Sequence, residues 1–203
     1  MAIKRRDRPG GNVTGVHILS AHIVLKRLEL LHELVPSAKT VAFLYTQTGD
    51  PTEGPFYQSL QQAVEPLGVV LHLFSASRTE EFEEIFARAK DAKSDAVVVN
   101  DHPVFAASGG KVITDLAARY KIPALYPSRI YVAAGGLVSY GADNNEVNRQ
   151  LGDLVGRVLK GEKPTELPVR QVTKLELIIN ARTAKSLALT IPIPLLGLAE
   201  VIE

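Results

Sequence analysis

Cysteine is absent from the 203 residues. That excludes disulfide scaffolds, thiolate metal sites and cysteine nucleophiles, and it suits either side of a bacterial inner membrane. A signal peptide needs about 7–15 apolar residues behind its charges, and residues 1–15 carry charges with no such stretch. No run approaches the roughly 20 apolar residues of a membrane-spanning helix. An excess of one charge is also missing: Lys and Arg number 23 against 22 Asp and Glu, for a net charge of +1. Nucleic acid and other polyanions are therefore not expected partners. The basic residues Lys4, Arg5, Arg6 and Arg8, mixed with Asp7, read as a solvated tail.

Catalytic signatures are missing too. Neither a Gly-x-Ser-x-Gly elbow nor a Gly-x4-Gly-Lys-Ser/Thr loop occurs. Gly10, Gly11 and Gly15 follow no strand and lack dinucleotide-loop spacing. The histidines His17, His22, His32, His72 and His102 are scattered, with no pair at metal-ligand spacing. Glu80, Glu81, Glu83 and Glu84 form a run that reads as a solvated helix face. No enzyme activity, cofactor or metal is expected.

What the chain has is a regular alternation of two periods. With 46% hydrophobic residues it can build a sizeable core. Val24, Leu25, Leu28, Leu31, Leu34 and Val35 recur at helical spacing, with Lys26, Arg27, Glu29 and Glu33 between them and Pro36 as the stop. A short apolar strand follows over 40–45, a helix over 54–67, a strand over 69–74 and an acidic amphipathic helix over 77–92. Ala96-Val97-Val98-Val99 is a continuous apolar run, the mark of a parallel strand covered on both faces. The alternation goes on through a helix at 110–120, strands at 122–126 and 137–140, and a long helix at 143–160. The fold class this implies is α/β, a doubly wound parallel sheet with helices on both faces. A C-terminal tail follows: an extended linker from 163, a strand over 174–180, a short helix over 181–189 and an extended run over 190–194. One strand and one short helix bury too little to make a domain.

Ligands of parallel sheets bind outside the carboxyl ends of the strands. The residues expected there are Tyr45 and Thr46, Asn100 and Asp101, Tyr126 and Ser128, and Tyr140 with Asp143. Each group offers a hydroxyl, amide or carboxylate. Tyrosine adds a ring that stacks on a ligand and an OH that bonds it. Taken singly, such residues also cap helices and make turns, and Asp143, just before the long helix, is placed as an N-cap.

Four segments together resemble a known family. They are Arg8-Pro9-Gly10-Gly11-Asn12-Val13-Thr14-Gly15; Lys26-Arg27-Leu28-Glu29-Leu30-Leu31 with Leu34-Val35-Pro36; Ala134-Gly135-Gly136-Leu137 with Ser139-Tyr140-Gly141; and Leu159-Lys160-Gly161-Glu162-Lys163-Pro164 with Leu167-Pro168-Val169. They are similar to ABC-transporter substrate-binding proteins of the tryptophan/tyrosine-uptake type, which have the type I periplasmic-binding fold. Ala188 stands where that family usually has Gly, and Thr46-Gln47 where Asn-Pro is common. The resemblance implies a two-lobed protein that closes on a small solute, an aromatic or branched amino acid, and docks on an ABC permease. It implies a location in the periplasm or at the outer side of the inner membrane, although residues 1–15 carry no export signal. By this reading residues 1–13 are a tail and crossover remnant and 14–162 a complete ligand-binding lobe. Residues 163–203 would belong to another lobe, most of which is missing. With no sheet to join, the tail is expected to pair with a second copy as a homodimer. The alternatives are a small-molecule-sensing regulatory domain or a doubly wound enzyme domain.

Overall fold

The computed structural model describes residues 11–18, 20–107 and 109–203. The basic cluster at residues 4–8 lies outside them. In chain order the first elements are β1 (Val16–His17), α1 (Ser20–Leu34), β2 (Thr40–Tyr45), α2 (Glu53–Val64), β3 (Val70–Ser75) and α3 (Phe82–Asp91). Then come β4 (Ala96–Val99), α4 (Pro103–Ala107), α5 (Gly109–Tyr120), β5 (Ala124–Tyr126), α6 (Arg129–Ala133) and β6 (Val138–Ala142). The chain ends with α7 (Asn144–Leu159), β7 (Arg170–Gln171), β8 (Leu175–Asn180), α8 (Ala181–Ser186), α9 (Ile193–Leu198) and β9 (Glu200–Ile202). These elements form two compact units. The larger comprises Ala21–Tyr140 and Leu177–Glu203, the smaller Met1–Ser20 and Gly141–Glu176.

The larger unit is built on a seven-stranded sheet of order β3-β2-β4-β5-β6-β8-β9. From β3 to β6 every pairing is parallel, as the long helical connections require. Both faces are covered. On one, Phe43, Val98, Leu125 and Val138 pack against Val24, Leu28 and Leu31 of α1 and Leu60 and Val64 of α2. On the other, Leu44, Val97, Val99 and Tyr126 meet Phe82, Ile85 and Phe86 of α3 and Ile113 and Leu116 of α5. Successive strand residues alternate between these cores, as the pleat demands. The order also contains a switch: from β2 the chain steps outward to β3 and then returns past β2 to β4. The switch point outside the carboxyl ends of β2 and β4 is where sheets of this kind bind their ligands.

The tail departs from expectation. Its strand forms, but as β8 it extends this same sheet beside β6, with Ile178 and Ile179 fully buried. The Asn180 N–H donates to Leu137 O and the Asp143 N–H to Lys174 O, so β8 runs antiparallel to β6. Its apolar side chains found a partner within the chain, and the homodimer argument, which rested on their having none, no longer applies. Residues 190–194 do not stay extended throughout, because Pro194 sits in the first turn of α9, where a missing N–H costs nothing. The two compact units divide the chain at 20/21, 140/141 and 176/177, whereas the sequence reading sets its boundary at 162/163. Ala188 takes a left-handed backbone, φ 54°, just past the C-cap of α8. That is where glycine is free of steric cost.

In the smaller unit, β1 and β7 form a two-stranded parallel sheet, with Val16 opposite Arg170. The Thr14 hydroxyl donates to Leu167 O at 2.8 Å, and Arg170 pairs with Asp153 of α7. Leu151, Val155, Val158 and Leu159 give α7 an exposed apolar stripe.

Candidate ligand-binding site

Strand register places the site. Leu44 lies opposite Val99, Val98 opposite Leu125, and Tyr126 opposite Ser139. One step further along, Tyr45, Asn100, Pro127 and Tyr140 stand in a single row across the carboxyl ends of four strands. By the pleat their side chains share a face with Phe43, Val98, Leu125 and Val138, the face that α1 and α2 cover.

Both helices have their N-terminal ends at this edge, because consecutive elements of an α/β sheet run in opposite directions. Helical side chains tilt toward the N-terminus, so α1 and α2 send theirs into the row. Tyr57 of α2 lies with its ring centroid 4.5 Å from that of Tyr45 and 5.9 Å from that of Phe43. Burial raises the Tyr57 hydroxyl to about 12, opposed by a hydrogen bond with the Asn100 side chain. Arg27 of α1 is only 3% exposed. Its Nε donates to Tyr140 O at 2.7 Å and its Nη2 to Pro127 O at 3.4 Å. Burial pushes its guanidinium down to about 10, so it remains a cation at neutral pH. Among the described residues no carboxylate comes within salt-bridge distance of it.

The residues expected from sequence separate into three groups. Tyr45, Thr46, Asn100 and Tyr140 are half-buried at the carboxyl edge, Asp101 is exposed there, and Ser128 begins α6 without making a side-chain cap bond. The Thr46 hydroxyl is buried without a partner. Tyr126 sits one residue short of the row, so its side chain enters the opposite core. It is fully buried there, stacked on Tyr131 at 5.1 Å and 9°. Tyr126 therefore packs the core and does not present its ring at the sheet edge. Asp143 lies in the smaller unit, where it caps α7 and pairs with Lys174 at 2.6 Å. The last strand of the row also runs on to Ala142, past the expected end at Tyr140.

Arg27, Tyr57 and Tyr131 were not expected here. Arg27 falls at i+4 from Ile23 and i−3 from Leu30, within the buried row of its helix, so its position was readable even though its charge suggested solvent. Tyr131 packs under the edge with its hydroxyl buried and unpartnered. Burial and the nearby Asp101 carboxylate push that hydroxyl's pKa upward.

Residues 2–202 match the family described as ABC transporter substrate binding protein. The chain belongs to that family. Its members bind solutes rather than catalyse reactions. A tyrosine-binding protein of Clostridioides difficile (strain R20291) is 26% identical over 186 residues, 91% of this chain and 52% of the relative. An ABC domain from Streptococcus pneumonia, solved in complex with L-Trp, is 29% identical with a TM-score of 0.84, over 98% of this chain and 68% of that one. A conserved domain protein from Vibrio cholerae superposes with a TM-score of 0.86 at 26% identity, over 99% of this chain and 66% of that one. The chain thus spans about half the length of its curated relative. Among the described residues no helix is long and apolar enough to cross a membrane, and no cluster of His, Asp or Glu could hold a metal ion.

Proposed function

We propose that this substrate-binding family member recognises an aromatic amino acid at the carboxyl edge of its larger unit, as the solute-binding component of an ABC import system. The observation that carries the reading is the Tyr45–Asn100–Tyr140 row at the switch point, with the Tyr57 ring against Tyr45 and a buried cation behind. Two rings at one edge offer a flat aromatic side chain a surface to stack on. Relatives described as binding tyrosine and L-Trp support the same substrate class. Docking on a membrane permease, at the outer side of the inner membrane, is part of the proposal.

In this arrangement the larger unit supplies one wall of the site, and a single wall leaves much of a small solute in water. Titration of the chain with L-Trp and L-Tyr is expected to show dissociation constants on the order of millimolar, with L-Leu weaker and sugars silent. Tyr57→Ala should weaken L-Trp by about threefold to tenfold, the range of one aromatic contact. Equal response to L-Trp and to a sugar, or indifference to Tyr57→Ala, would overturn the reading.

A further inference from the structure

Resting on that reading of the site, the structure assigns the two charged ends of the amino acid to two side chains of the larger unit. Arg27 takes the α-carboxylate, and Asp101 takes the α-ammonium.

The argument begins with an imbalance. A buried charge is costly unless it is paired and hydrogen-bonded. Arg27 is 3% exposed, yet its only partners among the described residues are the carbonyls of Pro127 and Tyr140. Those two bonds satisfy part of the guanidinium and neutralise none of it. A guanidinium has more N–H donors than two bonds consume, and its planar fork matches a carboxylate with paired donors. The Asp101 carboxylate acts on it electrostatically but forms no salt bridge with it, so the unspent donors match a small anion at the row, which a carboxylate is.

The placement is as informative as the charge. Both carbonyls that hold Arg27 belong to the row itself, so the cation is fixed at the mouths of β5 and β6 while Tyr45 and Tyr57 lie at the mouth of β2. Asp101 follows the row residue Asn100 at the end of β4, between these two positions. It is exposed, and its carboxylate is near enough to act electrostatically on both Arg27 and Tyr131. Cation and carboxylate thus lie to one side of the rings along a single edge, as the carboxylate and ammonium on Cα lie to one side of the ring in an aromatic amino acid. The buried, unpartnered hydroxyls of Thr46 and Tyr131 lie at the same edge as further polar groups.

The test uses the whole chain and four probes, followed by calorimetry or ligand-observed NMR: L-Trp, tryptamine, which lacks the carboxylate, indole-3-propionate, which lacks the ammonium, and indole. Tryptamine and indole-3-propionate are each expected to bind at least about tenfold more weakly than L-Trp, the scale of one charge-assisted contact. Arg27→Gln should lower L-Trp to the level of tryptamine and leave tryptamine unchanged. Asp101→Asn should do the same relative to indole-3-propionate. If L-Trp binds but loses less than twofold without its carboxylate, or if Arg27→Gln preserves the ratio of L-Trp to tryptamine, the assignment falls and the aromatic reading stands. If L-Trp and indole both fail to bind, the aromatic reading itself fails and takes the assignment with it. Should Arg27→Gln not fold by circular dichroism, the probe series on the unaltered chain decides alone.

Discussion

Asp143 carries two tasks on one carboxylate. One oxygen accepts the N–H groups of Asn145 and Glu146 at the start of α7, at 2.9 and 3.3 Å, and the other faces Lys174. The Lys174 hydrogen bond, then the backbone bonds, hold its carboxyl below the usual carboxylate range. A depressed folded-state pKa stabilises the fold above the unfolded value of about 3.9 and ceases to do so as pH falls through the folded value. Asp143→Asn keeps the capping acceptor and removes the charge. Its urea midpoint should lie below that of the parent at pH 7, and the gap should narrow as pH falls below about 4. A gap independent of pH would show that the charge contributes nothing. The contrast with Arg27 shows what sequence makes legible at this scale. A cap is local, so its residue type and position before a helix suffice. The partners of Arg27 lie 113 and 100 residues away, and nothing beside it in the chain announces them.

Among the elements, those with several residues of clear period were legible: the apolar run of β4, the amphipathic α3, the long α7. The two- and three-residue strands β1, β7 and β9 were not, because so short a stretch has no period to read. Tyr126 shows a subtler limit. Its strand was correct, but the face its side chain takes depends on register with β6, and a shift of one residue exchanges core for edge. The turn that leads into β6 is equally exacting. A Cβ at Gly136 would stand 2.6 Å from Tyr126 Cε2 and 2.8 Å from Tyr131 O, so Gly136→Ala should destabilise by about 1–3 kcal/mol. Ala188→Gly should have the opposite sign, because φ there is already left-handed, and relief of that strain stabilises by about 1 kcal/mol. Guanidinium melts of the two variants check both signs; equal and negligible shifts would contradict the close packing and the strain alike.

For the whole molecule, the sequence suggested a lobe followed by an orphan tail, and the structure makes that tail part of the sheet. Leu177, Ile178, Ile179 and Leu195 are all buried in the larger unit, each worth roughly 1.5–3 kcal/mol. Together this rivals the total stability of a domain, about 5–15 kcal/mol. A chain stopped at Glu176 should therefore lose its cooperative thermal transition by circular dichroism, and a truncated chain that still melts sharply would show the tail to be dispensable. Arithmetic of periods could not reveal this, since the choice between sheets is made by contacts distant in sequence. The same distance governs the order in which the protein can be made. As the chain leaves the ribosome, β6 emerges with a bare edge that stays unpaired until β8 arrives, and Thr14 waits for an acceptor 153 residues downstream. Until those later residues emerge neither unit can close, so the nascent chain presents an open strand edge over that stretch, and a holding chaperone matters more here than for folds finished from the N-terminus onward.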